Sequence, residues 1–68
     1  MRNLDDISND EIEQEIDKWI HSERDRRILK RRLIDGICYE PLAAEFELSV
    51  RQIKTIVYKA EARLFRHI

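Results

Sequence analysis

The sequence predicts an all-α fold: a small bundle of four helices, at about residues 8–21, 23–35, 40–46 and 50–65, ending in a helix-turn-helix. Three observations carry this reading. One Gly and one Pro in 68 residues leave almost no room for hairpins. Hydrophobic residues make up 43% of the chain and recur at helical spacing between charged residues that reach 40%. Ile and Leu are too frequent for a solvated tail. Polar capping residues also stand just ahead of the apolar runs. At this length one domain is expected, and its core has little margin, because a chain this short buries only about 60% of its unfolded surface.

The first helix opens on Ser8-Asn9-Asp10-Glu11, the spacing of a capping box in which Ser8 accepts from the first turn and Glu11 reaches back. Ile7 and Ile12 are placed for a hydrophobic staple. Ile12, Ile16, Trp19 and Ile20 then form one apolar stripe, with acidic residues on the other faces. Its place in that stripe makes Trp19 a core residue before it is a partner anchor. Ser22 restarts the pattern with Asp25 three residues on. Ile28, Leu29, Leu33 and Ile34 make the second stripe, and Gly36 suits the left-handed residue after a helix end. Arg24, Arg27 and Arg31 share one outer face of this helix.

The third helix is short. Pro41 fits its first turn, where a missing N–H costs nothing, and Cys38 is a poor cap, so the start is expected at Glu40 with Pro41 as first helical residue. Leu42, Ala43 and Phe46 face inward. Ser49 and Gln52 form another capping box, with Leu48 and Ile53 as its staple. Ile53, Ile56, Val57, Ala60 and Leu64 continue the buried stripe of the fourth helix. Phe65 and Ile68, beyond that stripe, fit either a last core cap or a self-association patch.

Charge is unevenly spread. Residues 1–23 carry two basic against eight acidic side chains, a net −6, while residues 24–68 carry eleven against six, a net +5. The second half therefore suits a polyanion. Cys38 is the only cysteine, which precludes an internal disulfide and points to a thiol-keeping compartment. There is no run of 18 apolar residues and no basic-then-apolar leader, so a cytoplasmic protein without membrane association is expected. Catalytic chemistry is poorly supplied. His21, His67 and Cys38 have no zinc-ligand spacing, no Gly-rich phosphate loop is present, and adjacent pairs such as Asp5-Asp6 read as solvated. No enzyme, cofactor or metal is expected.

The segment Leu42-Ala43-Ala44-Glu45-Phe46-Glu47-Leu48-Ser49 has a small residue where two helices cross, a turn at Glu47, a plug at Leu48 and a cap at Ser49. From Asp25 to Leu64 the chain resembles region 4 of the sigma-70 family, the helix-turn-helix domain that recognises the upstream promoter element. The resemblance rests on Arg26-Arg27-Ile28-Leu29 with Arg31-Arg32-Leu33-Ile34-Asp35-Gly36, on Tyr39-Glu40-Pro41-Leu42-Ala43, and on Leu48-Ser49-Val50-Arg51-Gln52-Ile53-Lys54. Response-regulator output domains share this pattern. A single domain over 1–68 is then expected, with an acidic first helix in 1–22, which the motif does not predict, added to a region 4-like core in 23–68.

Three departures stand out. Glu47 occupies the usual glycine position, and a non-Gly residue in the left-handed region costs roughly 1 kcal/mol, so a distorted or lengthened turn is expected. Cys38 replaces a Ser or Thr cap. The chain also lacks the regions by which full sigma factors clamp the polymerase and melt the promoter, so a complete sigma factor is not expected.

The resemblance implies a bacterial or phage transcription regulator with the fourth helix, 50–65, in the major groove of duplex DNA. Arg51, Gln52, Lys54 and Thr55 are then the base-contacting residues, Arg suiting guanine and Gln adenine. Ser49, Tyr58, Lys59, Arg63, Arg24, Arg27 and Arg31 are the phosphate-contacting ones. A solvated face is the plain alternative for Arg51, Lys54 and Lys59. Arg24, Arg27 and Arg31 fit equally well as partners of the acidic helix, with Glu23 and Arg27 at i, i+4 spacing. A homodimer, RNA polymerase or another transcription protein are further expected partners. A module that binds polymerase, a sigma factor or an anti-sigma-type partner without reading DNA is the alternative function.

Overall fold

A computed structural model describes residues 8–67. Among the described residues there are four helices and no strand: α1 Asn9–Trp19, α2 Glu23–Leu33, α3 Tyr39–Phe46 and α4 Val50–His67. The all-α expectation holds, with ends moved by one or two residues. α1 and α2 stop short of the expected 21 and 35, because Ile20 turns extended and Gly36 at φ +69° closes the region after Leu33. Nothing lies within 4 Å of a Cβ built on Gly36, so glycine is demanded there by backbone conformation alone. α4 runs past 65 to His67, whose ring stacks on Trp19.

Each start carries its own hydrogen-bond logic. Ser8 Oγ accepts from the Glu11 N–H at 3.2 Å, and Ser22 Oγ from the Asp25 N–H at 3.3 Å. The staple residue Ile7 lies outside the described residues. α3 begins at Tyr39, not Glu40, which makes Pro41 its third residue. Cys38 caps it without a side-chain hydrogen bond. A capping side chain normally serves the second or third N–H, and the third belongs to a proline that has none, so the missing cap orphans little.

The turn after α3 corrects the expected distortion. Glu47 takes φ +56°, ψ +40°, its N–H reaches the Ala44 carbonyl at 3.3 Å, and the Leu48 N–H reaches the Ala43 carbonyl at 2.9 Å. This is a Schellman ending built on a non-Gly residue. It needs no extra length, and α4 starts at Val50.

One core joins all four helices. Ile12, Ile16 and Ile20 from the α1 segment, Ile28 and Leu29 from α2, Leu42 and Ala43 from α3, and Ile53, Val57, Ala60 and Leu64 from α4 are buried. Trp19, Leu33, Ile34, Phe46 and Ile56 pack around its rim. Trp19 is therefore only partly interior: its Nε1 donates to Glu15 at 2.7 Å and its ring lies 3.7 Å from that of His67. α4 packs on α2 and α3, and α1 packs on α2 and α4 but not on α3. The first helix thus completes the core on the side away from the α3–α4 turn.

Ion pairs tie the same neighbours together. Lys30 Nζ lies 2.8 Å from Asp17 and 3.6 Å from Glu13, joining α2 to α1, and the hydrogen bond to Asp17 holds its pKa above the usual value. Arg31 grips Glu45 of α3 through two hydrogen bonds of 2.7 and 3.1 Å, and also meets Asp35 at 2.9 Å. Arg26 Nε donates to the Ile20 carbonyl, pinning the link between α1 and α2. No described helix is long and apolar enough to cross a membrane.

Candidate nucleic-acid interface

Burial of Ile53, Val57, Ala60 and Leu64 on one side of α4 forces Arg51, Gln52, Lys54, Thr55, Tyr58, Lys59, Arg63 and Arg66 onto its exposed side. Their side chains are not equally available. Ser49 and Gln52 form a full capping box: Ser49 Oγ accepts from the Gln52 N–H at 3.0 Å, and Gln52 Oε1 accepts from the Ser49 N–H at 2.9 Å. A bidentate contact to adenine has to share that oxygen. Thr55 Oγ1 donates back to the Arg51 carbonyl at 3.0 Å, leaving its methyl group and oxygen lone pairs outward. Lys54 leans away, its Nζ 5.6 Å from the centre of the Tyr39 ring. Arg51 makes no side-chain hydrogen bond, ion pair or ring contact among the described residues, and the Gln52 Nε2 and Lys54 ammonium groups also carry no hydrogen bond there.

The seven expected phosphate contacts divide. Arg24, Lys59 and Arg63 line one groove of about 450 Å³ with His21, Ser22 and Thr55, between the start of α2 and the flank of α4. A shallower hollow of about 350 Å³ continues it past Arg51 and Gln52 to Leu48, again with Arg24 on its wall. Arg24 Nε is 3.3 Å from Asp25, an exposed pair that contributes little and releases easily. Ser49 is engaged in the cap, and Tyr58 sits on the other flank of α4.

The shared face of Arg24, Arg27 and Arg31 does not persist as a unit. Arg27 lies over the Phe46 ring at 5.9 Å, without the anticipated Glu23 pair, and Arg31 is committed to Glu45 and Asp35. The acidic helix takes none of the three; it takes Lys30. These two carboxylates make Arg31 the least available cation of the set.

Comparison with known proteins finds no match among protein-family models, curated proteins or solved structures.

The electrostatics of α4 follow from where the carboxylates went. Among the described residues, the ion pairs engage Arg24, Lys30 and Arg31 on α2, and none engages Arg51, Lys54, Lys59, Arg63 or Arg66. Glu61, the acidic residue of α4, is half-buried on the Tyr58 side, where burial raises its pKa against the opposing pull of Arg32. Tyr58 is also raised, first by the charge Tyr39 carries when ionised and then by hydrogen bonding to it. Arg32 and Tyr39 were absent from the sequence-based site. No local spacing connects them to Lys54, because they belong to α2 and α3. No group of three or more His, Cys, Asp or Glu able to hold a metal occurs among the described residues, and Cys38 is an exposed free thiol.

Proposed function

We propose that this chain is a duplex DNA-binding transcription regulator in which α3, the Glu47–Ser49 turn and α4 act as a helix-turn-helix of the sigma-70 region 4 kind. One observation carries the reading. Five basic side chains stand on the exposed side of α4, and none has a carboxylate partner among the described residues. Unpaired cations along a capped helix suit a ligand that brings its own negative charge in a regular array. Arg51 near the tip of the helix reads a base edge, and Lys59, Arg63 and Arg24 hold the backbone of one strand. A single module of this size buries roughly 600–1,000 Å² on DNA, so a second copy or tethering to RNA polymerase completes the affinity.

Selection of bound duplexes from a random pool at near-physiological salt supplies the target. On that target Arg51→Ala costs about 1–3 kcal/mol and relaxes preference at one base position. Lys59→Ala and Arg63→Ala each lower the log–log salt slope by about 1 without changing preference. Unchanged binding by an Arg51→Ala, Lys59→Ala double variant that still folds would overturn the reading.

A second reading, a module that binds polymerase, a sigma factor or an anti-sigma-type protein, draws on Phe65, which is 41% exposed at the far end of α4. Salt separates the two. A partner seated on Phe65 responds weakly to ionic strength, whereas DNA is lost steeply.

A further inference from the structure

The flank of α4 opposite the Arg24 groove carries a second group of cations. At 3.6 residues per turn, Arg51 and Thr55 point along one direction, with Lys59 and Arg63 to one side and Lys54 and Tyr58 to the other; the two flanks are roughly 140° apart about the axis. On the Lys54 side three helices converge. Arg32 of α2 lies 4.4 Å from the centre of the Tyr39 ring and Lys54 of α4 lies 5.6 Å from it. Tyr58 meets the same ring edge-on, with centres 6.3 Å apart at 81°. Arg32 is fixed by donating to the Ile37 carbonyl at 3.1 Å.

Neither cation has an ion-pair partner among the described residues. An aromatic face attracts a cation but leaves its charge uncompensated, so the cluster keeps a net demand for an anion. The carboxylate near it, Glu61, forms an ion pair with neither cation among the described residues, and one carboxylate cannot offset two cations. Two phenol hydroxyls complete the group, and Tyr58 is 55% exposed. Its pKa is raised, so its proton stays available for donation.

We propose that Arg32, Tyr39, Lys54 and Tyr58 form a second phosphate-binding wall, so that α4 stands in the major groove with one DNA strand on each flank. The proposal rests on the duplex-DNA reading above and deepens it. The major groove is about 12 Å wide and a helix with its side chains about 10–12 Å, so cations on both flanks of a seated helix meet opposite backbones. Lys54 thereby moves from base reader to backbone contact, and Arg32 and Tyr39 join the interface. The ligand is specifically two-stranded, since a single strand engages one wall at a time.

The test is methylphosphonate scanning, which neutralises one phosphate at a time, along both strands of the selected duplex with the full chain. Sensitive phosphates are expected on both strands. Lys54→Ala and Arg32→Ala should erase sensitivity on one strand and lower the salt slope by about 1 each. Arg32→Lys should restore the slope, and Tyr39→Phe should keep the ring contacts while weakening binding several-fold. Lys59→Ala and Arg63→Ala should erase sensitivity on the other strand. Far-ultraviolet circular dichroism and Tm confirm that each variant is folded. If Lys54→Ala with Arg32→Ala leaves slope and two-strand sensitivity intact while Lys59→Ala and Arg63→Ala weaken binding, the second wall is overturned and the DNA reading survives. If Arg51→Ala, Lys59→Ala and Arg63→Ala are also without effect, the DNA reading itself fails and takes the wall with it.

Discussion

Glu47 is the residue on which the geometry of the turn depends. It holds a left-handed conformation that L-residues with a Cβ adopt at a cost of roughly 1–2 kcal/mol. Its own N–H, donating to the Ala44 carbonyl, and that of Leu48, donating to the Ala43 carbonyl, recover part of that as Schellman hydrogen bonds. Glu47→Gly should therefore raise stability by about 1 kcal/mol, which is roughly 4–8 °C in Tm for a domain this small. An unchanged Tm in thermal unfolding would show that the side chain contributes something the backbone conformation conceals. Glu61 makes the second residue-scale case. Burial raises its folded pKa above the ordinary 4.5, so its contribution to stability is fully present below that pH and is lost as pH rises through the folded value. Glu61→Gln should then melt above the parent at pH 7 and level with it near pH 3. Equal gaps at both pH values would rule out burial of the charge as the cause.

At the scale of the element, α4 has two jobs along its length. Its buried stripe fills the core, and its first turn presents Arg51, so the Ser49–Gln52 box must keep that turn wound at the solvent-facing end. Ser49→Ala removes one side of the box and should cost about 1 kcal/mol. Hydrogen exchange should speed first at the amides of Gln52 and its neighbours, and DNA affinity should fall beyond what the stability loss implies. Uniform exchange along α4 would mean that the cap holds nothing locally. α3 was legible only approximately, because its start depends on which of Cys38, Tyr39 and Glu40 takes an extended conformation. Pro41 limits the choice without deciding it.

Over the whole molecule, α1 is a structural part of the bundle. Ile12, Ile16 and Ile20 lie in the same buried cluster as Leu64 and Ile28, and Lys30 reaches across to Asp17. Ile16→Ala should cost about 2–5 kcal/mol, a large share of what a domain this short possesses. Chemical denaturation reads the value, and near-parent stability would mean that α1 packs too loosely to matter. The acidic character of α1 also acquires a physical role. Its carboxylates draw Lys30, and Glu45 draws Arg31, so pairing is concentrated away from α4 and the cations of α4 stay open.

The sequence by itself determined the helix count, the apolar stripes, the Ser8 cap and the Ser49 capping box, because period and capping depend on residues within one turn of each other. The uneven charge was also legible, as was the exposed set on α4. Tertiary structure decided how those cations are used. Whether Arg31 is free depends on Glu45 fourteen positions away, and whether Lys54 points at Thr55 or Tyr39 depends on how α3 crosses α4. Spacing along one helix places a side chain on a face, but the partner that occupies it comes from another helix, and only packing brings the two within reach.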